Sequence, residues 1–202
     1  WIGEYNSIAI GNDGNPVIST WGESNDELLV IMCTDPMCTD AARDGSGYIG
    51  NSLGLTGGKG KFSSMAIGAD GNPVIAYYDT SAEDPKLMIA ICADTSCTSA
   101  TTQLIAETTL HAQVSVVIDD GTPLVAYKDC CLDESPFGML RVAKCIDAAC
   151  TRVFDNEVDD LNAEGYATPN PAGVSMVVGN DGKPVIAYSD VLYSQYPLRL
   201  AV

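Results

Sequence analysis

Apolar and polar positions along this chain fall into short runs punctuated by Gly, Asp, Asn and Pro, the signature of β-strands joined by tight turns. One pair of runs recurs four times: IGNDGNPVISTWG from Ile10, IGADGNPVIAYYD from Ile67, VIDDGTPLVAYKD from Val117 and VGNDGKPVIAYSD from Val178. Asp followed by Gly between apolar runs is a hairpin signal, because the turn needs positive φ and Gly adopts it without steric cost. The turns are Asp13-Gly14, Asp70-Gly71, Asp120-Gly121 and Asp181-Gly182. Two residues after each glycine stands Pro16, Pro73, Pro123 or Pro184; lacking an N–H, proline marks the first residue of the second strand. That strand is apolar on both faces. In the second copy Val74, Ala76 and Tyr78 point one way, Ile75 and Tyr77 the other. Such a strand needs a sheet covered on both sides, which a stack of small sheets packed face to face supplies.

Each copy continues with a third apolar run and a fourth, so the pattern predicts four antiparallel strands per unit. Strands are predicted at 7–11, 16–21, 28–33 and 38–42 in the first repeat, with 48–53 as an alternative for its fourth. The second predicts 63–68, 73–78, 87–92 and 98–105; the third 113–118, 123–128, 139–145 and 151–154; the last 174–178, 184–189 and 198–202. Four-stranded units repeating at roughly 50 residues are the pattern of propeller blades. The expected fold is therefore all-β: a four-bladed β-propeller, one domain over 1–202, with repeats at about 7–44, 63–105, 113–154 and 173–202 and the last blade incomplete. An open curved solenoid of the same blades is the alternative.

The eight cysteines add a second periodic mark. Cys33/Cys38, Cys92/Cys97 and Cys145/Cys150 each enclose four residues, in CTDPMCT, CADTSCT and CIDAACT, and Cys130 and Cys131 are adjacent. Zinc sites pair two such half-sites, whereas one pair per repeat reads as a local disulfide staple, and hence an oxidising, extracellular setting. Cys130-Cys131 reads as a vicinal disulfide, or as two thiols paired elsewhere. A net charge of −17 leaves no basic patch for phosphates, which excludes nucleic acid and argues against an anionic membrane surface. No apolar run approaches the ~20 residues of a spanning helix. The start at Trp1, without a methionine or leader-like run, reads as a fragment or a processed product.

The pairing of DGxPVIAYxD with the LxxAxCxDxxCT hairpin resembles the blade-like repeats of large secreted bacterial surface proteins, and the whole is similar to a protomer of an extracellular fibril built from propeller units. That resemblance implies a structural role and carries over no catalytic residue. The Asp-box of sialidase-type propellers, S-x-D-x-G-x-T-W, matches less well, since proline follows the turn here and the Thr-Trp ending is missing.

The fourth repeat stops after its third strand, which leaves Leu198, Leu200 and Val202 on an open edge. Residues 1–6, with Trp1, Ile2 and Tyr5, are the candidate cover. Pairing within the chain makes them a clasp closing the ring; pairing with a neighbour makes them a donor strand, and the product a homo-oligomer or filament. The leading expectation is thus a non-enzymatic, self-assembling surface subunit. The second is a carbohydrate-binding propeller, with Trp21, Tyr78, Tyr127 and Tyr188 near strand ends as candidate platforms against a core role. The third is a glycoside hydrolase, which needs two carboxylates flanking one bond; nothing marks such a pair among 27 acidic residues.

Asp79, Asp129 and Asp190 end the second strand of three repeats. They are candidate Ca²⁺ ligands at one rim, or turn caps accepting backbone N–H groups. The acidic stretch 155–164 is a solvated insertion or a second place for Ca²⁺, without the spacing of an EF-hand. His111, the single histidine, has no nucleophile elbow beside it and reads as a connector or core residue. No other cofactor is expected.

Overall fold

The computed structural model describes residues 2–24, 26–42, 50–108, 113–130, 138–160, 173–189 and 198–202. Four antiparallel sheets account for all the named strands. The first consists of β1 (Ile2–Ile10), β2 (Pro16–Gly22), β3 (Glu27–Met32) and β4 (Asn51–Ser52). The second holds β5 (Lys59–Ile67), β6 (Pro73–Asp79), β7 (Lys86–Cys92) and β8 (Ala100–Glu107). The third holds β9 (Val114–Asp119), β10 (Thr122–Cys130), β11 (Gly138–Cys145) and β12 (Val153–Asp160), and the fourth β13 (Val174–Val178), β14 (Pro184–Ser189) and β15 (Leu198–Ala201). Chain order equals spatial order in every sheet, and across the sheets β1 meets β5, β5 meets β9 and β9 meets β13. Those four strands line a central channel, with the later strands of each sheet radiating outward. This is the four-bladed arrangement that the repeats predict.

Packing between blades explains the doubly apolar second strand. On β6, Ile75 and Tyr77 enter the core against the first blade with Val17, Leu28 and Val30, while Val74, Ala76 and Tyr78 enter the core against the third with Val125 and Tyr127. Leu124, Ala126 and Leu140 meet Val174, Met176, Ile186 and Tyr188 between the third and fourth blades. Each fully buried Leu, Ile or Tyr contributes roughly 1.5–3 kcal/mol relative to exposure, so these face-to-face cores hold the array together.

Both kinds of connection at the turn rim have local causes. Asp13, Asp70 and Asp181 each accept the backbone N–H two residues on, at 3.0, 3.0 and 3.2 Å, inside loops where Gly14, Gly71 and Gly182 have positive φ. The third turn is shorter: Asp119 pairs with Thr122, and Asp120 and Gly121 both have positive φ. Only there does the two-residue hairpin read from the sequence occur. The Cys33–Cys38, Cys92–Cys97 and Cys145–Cys150 disulfides are formed, with Cα–Cα distances of 4.9, 4.9 and 4.8 Å. Asp35, Asp94 and Asp147 brace these hairpins by accepting the hydroxyl protons of Thr39, Thr98 and Thr151.

Three expectations change. The first blade takes its fourth strand from Asn51–Ser52, inside the alternative 48–53 rather than 38–42, paired with Val30 and Leu29, while Ala41 makes an isolated bridge to Cys33. The stretch after Phe154 begins as regular strand, β12, and Asp155 is held by Arg141 at 2.8 Å, so it is no solvated loop there. Residues 2–6 neither clasp the last blade nor stand free as a donor: they continue β1 and pair with their own β2, Ile2 opposite Gly22 and Glu4 opposite Trp21. The edge at β15 remains open among the described residues, with Leu198, Leu200 and Val202 exposed.

Candidate ligand site at the channel mouth

The four innermost strands carry a serine at one shared position: Ser7, Ser64, Ser115 and Ser175. The Ser7 hydroxyl accepts the N–H of Met65 at 3.0 Å, Ser64 that of Val116 at 3.1 Å, and Ser115 that of Met176 at 2.9 Å. The inward edge of each blade is thereby satisfied by its predecessor, as buried backbone donors require. This relay sets the wall of the channel.

At the mouth, opposite the turn rim, the first two blades differ from the others. Gly3-Glu4-Tyr5-Asn6-Ser7 and Gly60-Lys61-Phe62-Ser63-Ser64 share the pattern Gly-x-aromatic-x-Ser. In both, the register with the second strand shifts between the residue after Gly and the Ser, which makes each a β-bulge that re-aims a side chain. Tyr5 and Phe62 sit in these bulges at φ 53° and 54°, a conformation that costs a non-glycine residue about 1–3 kcal/mol. Their rings meet at 4.2 Å, with Trp21 at 6.1 Å from Tyr5 and Tyr78 edge-on to Phe62 at 6.3 Å. The Lys61 ammonium lies 4.8 Å over the Trp21 ring.

Hydrogen bonds lock the two bulges together. The Ser63 hydroxyl donates to the Tyr5 carbonyl at 2.9 Å and lies 3.0 Å from Ser19 Oγ. The Thr20 hydroxyl donates to Asn6 Oδ1 at 2.6 Å, and Asn6 Nδ2 donates to the Gly3 carbonyl at 2.8 Å. An amide nitrogen carries two protons, so Asn6 keeps one for a ligand. The resulting cavity, about 320 Å³, is lined by Tyr5, Asn6, Phe62 and Gln113, with the channel serines at its base. No carboxylate lines it among the described residues.

Four radial sheets around a channel decide the fold. The fold is a β-propeller. Solved structures share it over nearly the whole chain. A thermostable family-43 glycoside hydrolase superposes with TM-score 0.57 at 12% identity, over 99% of this chain and 68% of its own. An endo-arabinase from Bacteroides thetaiotaomicron VPI-5482 gives 0.58 at 10%, over 97% and 73%. An alpha-L-arabinofuranosidase from Lactobacillus brevis gives 0.55 at 12%, over 97% and 70%. No protein-family model and no curated protein matches the sequence. These likenesses redirect the functional expectation. These three similar structures are a glycoside hydrolase, an endo-arabinase and an arabinofuranosidase, which overturns the reading as a non-enzymatic fibre subunit.

The residues singled out from the sequence are scattered rather than gathered. Asp79 accepts the Ser81 N–H at 3.0 Å and hydroxyl at 2.5 Å, and faces Lys59 at 3.9 Å. Asp129 is buried. No three His, Cys, Asp or Glu side chains among the described residues converge as a metal site would require. Tyr127 and Tyr188 are core residues; the Tyr127 hydroxyl donates to Asp155 at 2.8 Å, and burial pushes its pKa upward. Trp1, His111, Cys131 and Asp190, and the side chains of Ile2 and Cys130, lie outside the described residues. Of the candidate platforms, Trp21 and Tyr78 back the mouth, while Phe62, Asn6 and Gln113 were missed by sequence reasoning. The signal was present in the twin pentapeptides GEYNS and GKFSS.

Proposed function

We propose that this protein is a secreted, carbohydrate-active propeller that binds a neutral glycan at the channel mouth and acts on its glycosidic bonds. The observation that carries the reading is the Tyr5–Phe62 pair, held at positive φ by two bulges beside Asn6 and Gln113. Strained backbone at a channel mouth is the kind of outlier that clusters at ligand clamps and active sites. Aromatic faces with a few convergent amide and hydroxyl groups are the lining such pockets use, and they match the apolar faces and hydroxyl rims of sugar rings. Three disulfides support an oxidising compartment. Arabinan is the first substrate to try, because two of the similar propellers are an endo-arabinase and an arabinofuranosidase.

Hydrolysis requires a pair of carboxyl groups flanking the bond, and the described mouth carries none, so binding and cleavage are measured separately. Isothermal titration with linear arabinan, alongside xylan and galactan, reads binding; release of reducing ends reads cleavage. Saturable binding to one of these polymers is expected, weakened about tenfold or more, or roughly 1.4 kcal/mol, in Phe62→Ala, with the circular dichroism spectrum retained. Absence of binding to all three polymers overturns the glycan site. Binding without release of reducing ends overturns the hydrolytic part of the reading.

A further inference from the structure

At the turn rim, far from the channel mouth, the junctions between blades are built from equivalent residues and yet differ. Between the first and second blades, the Asn12 side chain lies over Gly71, its Nδ2 2.6 Å from where a Cβ on that glycine would stand, and the Thr95 methyl lies 3.8 Å from the same point. Between the second and third blades, Ala69 takes the place of Asn12, Gly121 that of Gly71, and Ala148 that of Thr95, by register with the prolines and the Cys pairs. Nothing lies within 4 Å of the corresponding point at Gly121. A cavity of about 290 Å³ opens there, walled by Val74, Ile91, Ile118, Pro123, Ala148 and Ala149, with Asp70 at its lip. Two alanines, with the shorter third turn, leave open a place that the sister junction fills with the side chains of Asn12 and Thr95.

The surroundings are acidic. Asp13, Asp70, Asp120 and Asp181 in the turns and Asp35, Asp94 and Asp147 in the disulfide hairpins all belong to this rim. Its cations among the described residues are Lys144, already paired with Asp119 at 2.8 Å, Arg152 and Lys183. An apolar cavity inside an anionic rim fits an apolar anchor flanked by positive charge, since burial supplies the anchoring energy and charge supplies steering and selection.

We propose that this cavity is a docking site for a partner protein, taking one large apolar side chain of a basic peptide segment. The inference is independent of the glycan reading and uses the opposite rim. The test is fluorescence anisotropy with a labelled peptide of one phenylalanine between two lysine pairs. Saturation at one site per chain is expected. Binding should be about tenfold weaker or worse when alanine replaces the phenylalanine, and equally so when serines replace the lysines. The double variant Ala69→Asn with Ala148→Thr puts the two side chains of the sister junction into the cavity wall, and with its circular dichroism spectrum retained it should lose the peptide to the same degree. The converse variant, Asn12→Ala with Thr95→Ala, should raise the stoichiometry from one to two. Undetectable binding, equal binding of the alanine peptide, or unchanged binding by Ala69→Asn/Ala148→Thr overturns the proposal. Arabinan titration of that same variant should be unaltered, which keeps failure here distinct from failure at the mouth.

Discussion

Asp94 illustrates what one carboxylate does in this fold. It is half-buried in its hairpin, and the hydroxyl of Thr98, the backbone N–H of Thr98 and that of Ser96 hold its pKa below the ordinary aspartate value of 3.8. Asp35 and Asp147 are lowered in the same way, with the threonine hydroxyl as the largest cause in each. A depressed carboxylate favours the folded state above its unfolded pKa, near 3.9, and loses that contribution as pH falls through the folded value. Asp94→Asn should therefore flatten the acid limb of stability below about pH 4, read by thermal melts across that range. In Thr98→Val, the carboxyl resonance of Asp94 should titrate higher than in the parent. The Cys pairs announced these hairpins in the sequence. The aspartate and threonine within CxDxxCT were visible as repeats, but their bonding depends on the left-handed backbone at Cys38, Cys97 and Cys150, φ 52°, 49° and 52°, which spacing alone does not reveal.

At the scale of the element, bulges set the innermost strands β1 and β5 apart from β9 and β13. Gly60 has φ +106°, and a Cβ there would stand 2.6 Å from Leu28 Cβ and 2.8 Å from Leu28 Cα. Gly60→Ala should therefore cost roughly 1–3 kcal/mol from backbone strain, with the clash adding to it, and should lower affinity at the mouth by displacing Phe62. Urea denaturation and the arabinan titration measure the two effects. Gly3→Ala at the equivalent place meets nothing within 4 Å, so it should carry the strain without the clash. Strand identity was legible because apolar alternation and the turn residues agree. The bulges were not, because a two-residue offset becomes visible only against the partner strand. The same limit left β4 as one of two candidates for a fourth strand, because Asn51–Ser52 has no apolar alternation of its own and is fixed by pairing with Leu29 and Val30.

Across the whole molecule, repetition made the architecture readable and concealed the function. Ser7, Ser64, Ser115 and Ser175 recur because the propeller needs them; Tyr5, Phe62, Ala69 and Ala148 matter because their counterparts in other repeats differ. The stabilising staples are distributed one per blade over the first three. Reduction of the three described disulfides should lower stability by roughly 2 kcal/mol per bridge on the chain-entropy model, measured as the loss in denaturant midpoint at constant slope. The relay of serine hydroxyls has a further consequence. The second, third and fourth blades are each indexed against the one before by a bond that sets their height along the channel axis, because a slip bringing in the following residue would put the apolar Met65 or Val116 where the hydroxyl of Ser64 or Ser115 stands. The sheets therefore mesh like toothed wheels on a common shaft, and the aromatic pair at one end stays aligned across two separate sheets, pinned by the hydroxyl of Ser63 on the Tyr5 carbonyl.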